Sequence, residues 1–413
     1  MIREALKFLG GRVRIFEEEL KHDEVVRFIK EKGLERTPVI LNVEGNRVAK
    51  NFICTRDLLC EYLGIEKEDL CRHLSSLGYS SVEISNEFSL KEVDVNLEEL
   101  PILRYYPKDG GRYITAGVVI AKDIDADVKP DSFNASIHRM MLLGKDKLVA
   151  RLVEPRHTYL LWRSAIEKGK DLPVAIVIGV HPLFLFASAT RLPFGKEFEY
   201  ASALMGGLKV YRIEDFLIPP AEIVLLGRIT DKLVDEGPFV DITGTYDKVR
   251  KQPVVEIDRM FLADDFIYYS ITPASYEHMV LMGIPYEPVI YKAVSNVCKV
   301  KNVVMTTGSR CYFHAIVQIE KITEGDGKNA IIAALSANPS LKGVIVVDND
   351  IDIYSYEDVE YAIATRFQAD KDFIVIKGAR GSSLDPSADE TTAKWGIDAT
   401  KYLSREEDFE RVI

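Results

Sequence analysis

Glu236-Gly237-Pro238-Phe239-Val240-Asp241-Ile242-Thr243-Gly244-Thr245-Tyr246 sets two carboxylates around a Gly-Pro turn. Acids at this spacing can bracket a guanidinium and share proton-transfer work. Such a cation would pull their pKa values down, and burial would push them up. A solvated turn with two surface acids reads the same way, so the stretch has to be weighed with its surroundings. Before it, Glu222-Ile223-Val224-Leu225-Leu226-Gly227-Arg228-Ile229 has strand character, and after it so does Val254-Val255-Glu256-Ile257.

Three more segments set polar residues among apolar ones. In Asn134-Ala135-Ser136-Ile137-His138-Arg139 the arginine could hold a carboxylate or phosphate through paired hydrogen bonds. Ordinary hairpin polars fit it too. Asn134 and Arg139 have opposite parity, so one regular strand would aim them at opposite faces. A shared site needs Asn134 just before the strand, or a bulge. Glu154-Pro155-Arg156-His157 offers a histidine, more often structural than a ligand unless oxygen donors reach it. Asn134 and Glu197 are the candidates, and an Asn–His–Glu set suits Mn2+ or Mg2+ better than closed zinc. Ala187-Ser188-Ala189-Thr190-Arg191-Leu192-Pro193-Phe194-Gly195-Lys196-Glu197 has small residues that admit a ligand close to the backbone. A plain loop before a helix, with Glu197 in its first turn, is equally consistent.

Around these segments the chain has 413 residues, enough for two to four domains. Residues 1–100 read as a small α/β domain, with a helix over 23–32, a strand over 37–43 and a helix over 55–63. They carry no glycine-rich nucleotide fingerprint. Residues 101–300 turn β-rich, and a β-barrel with inserted helices is expected. One strand is expected over 113–120, a hairpin with arms 134–143 and 148–153, and a helix over 197–205. Residues 301–413 return to α/β, with helices over 330–338 and 358–366 and strands over 343–348 and 373–377. The class is therefore α+β, in three domains.

The net charge of −11 argues against a nucleic-acid surface and leaves any anionic ligand to local cations. Five cysteines without CxxC spacing fit reduced thiols and a cytoplasmic protein. The apolar run 172–193 is interrupted by His181-Pro182 and reads as strand, turn and helix, not a membrane span.

Taken together, these segments resemble the UbiD family of carboxy-lyases. The 236–246 stretch is similar to the family's EGPxG[E/D]xTGYY signature. Pro220-Ala221-Glu222-Ile223-Val224 precedes it, as the family's PAxAEIV block does. Val346-Val347-Asp348-Asn349-Asp350-Ile351-Asp352 resembles VVDxDID. Ala364-Thr365-Arg366, Gly381-Ser382-Ser383-Leu384-Asp385-Pro386-Ser387 and Gly396-Ile397-Asp398-Ala399-Thr400 follow in the family's order. The resemblance spans about residues 100–401. It implies a central split β-barrel that binds prenylated FMN, and a C-terminal α/β domain used in oligomerisation.

The resemblance also assigns roles. Asn134, His157 and Glu197 match the positions that bind a divalent metal, Mn2+ or Mg2+, at the flavin phosphate. Ser136, Ile137, His138, Arg139 and Arg156 match flavin-contacting positions, and Ala187 and Ser188 border the phosphate and a monovalent cation such as K+. Arg139 matches the arginine near the substrate carboxylate. Glu236 and Asp241 match the acids beside it, with Asp241 as proton donor. Val240 stands where the family often has glycine. The spacing before Glu197 is one residue short, and Glu197 to Glu236 is a few residues shorter than in longer relatives.

The implied reaction is loss of CO2 from an α,β-unsaturated acid, with the cofactor as electron sink. The chain is most similar to short archaeal members that convert trans-anhydromevalonate 5-phosphate to isopentenyl phosphate. That substrate needs cations beyond Arg139, and His138, Arg191 and Lys196 are the candidates. An aromatic acid decarboxylase is the alternative, and a non-catalytic flavin-binding protein is a reading of another class. The expected partners are the small acid, a flavin prenyltransferase as cofactor source, and further copies of the chain.

Overall fold

The computed structural model describes residues 1–412. The chain mixes helices and sheets and divides into two compact units. The first comprises Met1–Gly64 and Leu77–Leu281; the second comprises Ile65–Ser76 and the residues from Met282 on.

A nine-stranded antiparallel sheet forms the centre of the first unit. Its strands run in the order Tyr113–Ile114, Met140–Gly144, Lys147–Ala150, Arg250–Leu262, Ile223–Glu236, Leu172–Ile178, Val118–Lys122, Phe133–Ile137, with Lys91–Val93 beside Arg250–Leu262. One feature of this order fixes the shape. Phe133–Ile137 ends the sheet on one side, and Met140–Gly144 is next to last on the other. Only His138 and Arg139 join them. Two residues bridge roughly 11 Å at most, so the sheet must roll until its two sides nearly meet. Arg139 therefore sits at the seam of a half-barrel.

The same roll breaks two expected strands. The 113–120 segment is two strands with Gly117 between them. A Cβ at Gly117 would lie 2.6 Å from Met140 Cε and 2.9 Å from Ile114 Cγ2, so a larger residue there would have to displace those side chains. The expected 134–143 arm likewise splits into Phe133–Ile137, which pairs with Val118–Lys122, and Met140–Gly144, which pairs with Lys147–Ala150. This interruption removes the parity conflict between Asn134 and Arg139.

Helices Pro182–Ala189 and Glu197–Met205 pack against the Phe133 strand. The 172–193 run is thus strand, turn and helix, as read from sequence. Among the described residues no helix is long and apolar enough to cross a membrane. A second sheet of the first unit, Arg14–Leu20, Val39–Val43, Asn46–Lys50 and Ile267–Tyr269, buries most of its middle strands.

The second unit is built on a five-stranded sheet, in the order Lys299–Met305, His314–Glu320, Gly343–Asp348, Thr392–Ala399, Phe373–Ala379. Val303, Val317, Ile331, Ala334 and Val346 are fully buried in its core. Asp348 and Asp350, from the Val346–Asp352 block, both pair with Arg366.

Candidate active site

Arg139 is held by three acids. Its Nε and Nη2 donate to the two oxygens of Glu236, each at 2.9 Å. Nη1 donates to Asp241 Oδ2 at 3.2 Å, and Nη2 also donates to Asp247 Oδ2 at 3.1 Å. The guanidinium lies 5.1 Å from the centre of the Phe239 ring. Burial works against the charge on Arg139, but the three carboxylates outweigh it, so its pKa is raised.

The turn residues explain how the acids reach the arginine. Glu236 is the last residue of Ile223–Glu236, where it pairs with Arg250. Gly237 then takes a φ of 103°, a conformation that favours glycine, and reverses the chain. Phe239–Val240 returns as a short strand against Tyr246–Asp247, which brings Asp241 and Asp247 to the same guanidinium. Val240 is buried and has no positive φ, so the absence of glycine there introduces no strain.

The side-chain exposures separate the acids. Glu236 is 0% exposed and Asp247 6%, while Asp241 is 20% exposed. Asp247 is also bound by Arg250 at 2.5 Å. Asp241 therefore has the weakest hold on Arg139 and the most open path to solvent.

A second cluster begins on the Phe133 strand. His157 Nδ1 lies 3.1 Å from Asn134 Oδ1. Asn134 Nδ2 donates to Ser136 Oγ and Thr158 Oγ1, both at 3.0 Å. Glu197, in the first turn of Glu197–Met205, is buried within hydrogen-bond reach of the backbone N–H of Ala135. Its Oε2 is buried with no hydrogen-bond partner, and burial pushes its pKa up to about 8. Asn134, His157 and Glu197 thus gather around one stretch of strand.

His138 links the two clusters in sequence. Its Nε2 contacts Ser136 Oγ at 2.9 Å and Thr158 Oγ1 at 3.0 Å, and its Nδ1 lies 3.0 Å from Arg151 O. Both ring nitrogens are engaged by protein atoms, so His138 has no nitrogen free for a second anion. Lys196 is paired with Glu199 at 2.7 Å. Ile137 sits on the Phe133 strand opposite Val118. Arg156 is exposed at the N-cap of helix His157–Glu167. Ala187 and Ser188 are buried in Pro182–Ala189, where Ser188 Oγ donates to Phe184 O at 2.9 Å.

Sequence reasoning missed three residues. Asp247 lies one position beyond the quoted signature stretch, and its sequence neighbours gave no reason to include it. His278 is half-buried in helix Tyr276–Gly283, and its Nδ1 accepts from Ala274 N at 3.0 Å. Burial lowers its pKa; the charges of Asp241 and Arg139, which act on it in opposite senses, place it beside this cluster. Arg151 follows strand Lys147–Ala150, and its backbone N donates to Arg139 O at 3.1 Å. Only the strand pairing could have exposed Arg151.

A rolled antiparallel sheet thus brings one arginine and three acids together at its seam. The chain belongs to the UbiD family: residues 79–276 match the Rift-related domain of the 3-octaprenyl-4-hydroxybenzoate carboxy-lyases, and residues 279–399 match their C-terminal domain. It is 63% identical to the anhydromevalonate phosphate decarboxylase of Archaeoglobus fulgidus, over 96% of this chain and 92% of that protein. It is 53% identical to the protein of the same name from Methanosarcina mazei, over 91% and 90%. The UbiD-class enzyme HmfF from Pelotomaculum thermopropionicum, solved in complex with FMN, superposes with a TM-score of 0.93 at 34% identity, covering 100% of this chain and 97% of that one. An evolved dimeric form of HmfF in complex with prFMN gives 0.89 at 32% identity, covering 100% and 96%.

Proposed function

We propose that this enzyme decarboxylates trans-anhydromevalonate 5-phosphate to isopentenyl phosphate and CO2, using prenylated FMN. The observation that carries the chemistry is Arg139 clamped by Glu236, with Asp241 opening toward solvent. The substrate assignment is supported by relatives at 63% and 53% identity that bear the name anhydromevalonate phosphate decarboxylase over nearly their whole length.

The residues present fit the cofactor. Glu197 carries a buried oxygen with no partner and reaches the backbone N–H of Ala135, the neighbour of Asn134, which contacts His157. An unpaired carboxylate oxygen in such a place costs free energy unless a cation satisfies it. Oxygen, nitrogen and oxygen donors suit Mn2+ or Mg2+, which would bind the flavin phosphate. Ser136, Arg156, Ala187 and Ser188 would border the flavin, with K+ nearby. A flavin prenyltransferase would supply the modified cofactor. When bound, the flavin provides the sink for the electrons of the C–CO2 bond.

The chain's own groups do the rest. Glu236 fixes the plane of Arg139 through two parallel hydrogen bonds along one edge. Four N–H bonds of Arg139 go to acids, so of the five a guanidinium carries one remains to orient the substrate carboxylate. As CO2 leaves, the carbon it leaves behind needs a proton. Asp241 is the acid with access to give it and to be re-protonated from water. His278 lies beside Asp241, fixed by Ala274.

The test is CO2 release by protein co-expressed with a flavin prenyltransferase, offered the phosphorylated acid and a panel of aromatic acids. Turnover of the phosphorylated acid is expected. Turnover of aromatic acids alone would reject the substrate, and no turnover with prenylated flavin bound would favour a flavin-binding role.

A further inference from the structure

Arg139 and Arg151 face each other across the pairing of two strands. The register Met140↔Ala150, extended by the bond from Arg151 N to Arg139 O at 3.1 Å, makes them direct cross-strand neighbours. Directly opposed residues project from the same face of a sheet, with Cβ atoms about 5 Å apart. Like charges so placed repel, and an arrangement of this kind calls for an anion between or above them. Burial, then Arg250 and Arg139, lower the pKa of Arg151, and the nearby charges of Asp247 and Glu236, which raise it, do not offset them.

Arg139 and Arg250 have their acids; Arg151 does not. Arg139 is bound to Glu236, Asp241 and Asp247, and Arg250 to Asp247. Among the described residues Arg151 pairs with no carboxylate, and its one side-chain hydrogen bond runs from Nη1 to Leu152 O at 2.8 Å. It is half-buried. The next strand across is neutral at this level: the register Val149↔Val254 leads to Gln252, whose Oε1 accepts from Leu152 N at 2.7 Å. Arg151 is thus a rigidly placed guanidinium with free donors, on the face that carries the reacting groups.

We propose that Arg151 binds the phosphate of the substrate and sets the preference for a phosphorylated acid. This rests on the function proposed above, in which the substrate carries a phosphate as well as a carboxylate. The ion pairs of the three carboxylates all go to Arg139 and Arg250. A phosphate adds a charge of about −1.5 to −2, so the cation without a partner is the one it would meet. Guanidinium geometry also matches a phosphate through two parallel hydrogen bonds.

The experiment uses flavin-loaded wild type, Arg151→Lys and Arg151→Met. It measures kcat and KM for trans-anhydromevalonate 5-phosphate, inhibition by inorganic phosphate, flavin content, and melting temperature. Arg151→Met should raise KM about 10- to 100-fold, by a larger factor than it lowers kcat, and weaken phosphate inhibition in parallel. Arg151→Lys, which keeps the charge without the fork, should fall between. A lower kcat and melting temperature with KM and phosphate inhibition within twofold of wild type would assign Arg151 a structural role and overturn the proposal. Loss of flavin with KM unchanged in the molecules that retain it would place the phosphate contact on the cofactor, and would also overturn it. Wild type that decarboxylates only unphosphorylated acids would remove both this proposal and the function it rests on. Wild type that turns over the phosphorylated acid, with Arg151→Met equally good at it, would remove this proposal alone.

Discussion

Two arginines, one in each unit, have similar partners and different fates: Arg139 is 11% exposed and Arg366 is buried. Arg366 is 1% exposed and pairs with Asp348 at 2.7 Å and Asp350 at 2.8 Å. Lys401 closes that cluster: its Nζ binds Asp350 at 2.8 Å and its backbone N donates to Asp348 at 2.8 Å. Burial opposes the charge on Asp350, but hydrogen bonds from Arg366 and Lys401 outweigh it and hold its pKa down to about 2. Such an acid neither gives nor takes a proton near neutrality. In the Arg139 cluster, Asp241 has one cation, held by a single hydrogen bond at 3.2 Å, and its other oxygen accepts from the backbone N of Ile242 at 2.7 Å. What separates the two is how firmly each acid is tied, not how deeply it is buried. A staple and the proposed reactive centre are made of the same residue types.

That difference predicts opposite outcomes on mutation. Asp241→Asn should keep the hydrogen bond to Arg139 through its amide oxygen and lose the proton. Turnover of the phosphorylated acid should fall about 10²- to 10⁴-fold, with melting temperature nearly unchanged. A steady-state assay and a thermal scan on the same sample decide it; a loss under tenfold would move the proton donor elsewhere. Arg366→Met should do the reverse. It leaves two acids with one cation in a buried place, a change that costs about 3–5 kcal/mol of stability. Urea unfolding would show this as a lower midpoint.

Part of this contrast was legible in the sequence. The spacing of Glu236 and Asp241 suggested a bracketed arginine, and the helix over 197–205 was read to the residue. The β-rich centre came from periodicity, which is a property of neighbours along the chain. A barrel-like centre was expected as well, but not the place where it closes, because that depends on His138 and Arg139 linking opposite sides of the same sheet. Asp247, His278 and Arg151 were missed for the same reason: each enters the site through strand pairing or helix packing, and nothing beside it in sequence marks it. The Val346–Asp352 and Ala364–Arg366 blocks carried the family resemblance, yet the structure assigns their charged residues to a salt-bridge cluster of the second unit.

The Asn134 cluster sharpens the comparison from another side, since it has an acid and no cation. With burial holding Glu197 near a pKa of about 8, metal uptake at neutral pH must expel a proton. Mn2+ affinity should therefore weaken on the order of tenfold per unit as pH falls below 8. Glu197→Gln should weaken binding at least tenfold at pH 8 and flatten that dependence. Titration of the flavin-free protein with Mn2+ at several pH values reads both. An affinity independent of pH in the wild type would mean that Glu197 is not a ligand.

His181 shows the remaining way to bury an ionisable group, which is to keep it neutral. It caps helix Pro182–Ala189, with Nδ1 accepting from Leu183 N at 3.1 Å. Burial first, and then the charge of the Met1 amino group, lower its pKa to about 4. Above pH 6.5 the ring is neutral in folded and unfolded chains alike, and contributes no pH dependence. As pH falls below 6.5 the unfolded chain takes up a proton that the folded chain refuses, so stability is lost until about pH 4, where the loss levels off. The full shift discounted for residual solvent access leaves on the order of 1–2 kcal/mol. His181→Asn keeps a capping oxygen and removes the titration. The stability difference between wild type and His181→Asn, measured by urea unfolding from pH 7 to pH 4, should move against the wild type across this window. A constant difference would mean that the folded ring accepts its proton as readily as the unfolded one, and that the cap at Leu183 does not need a neutral imidazole.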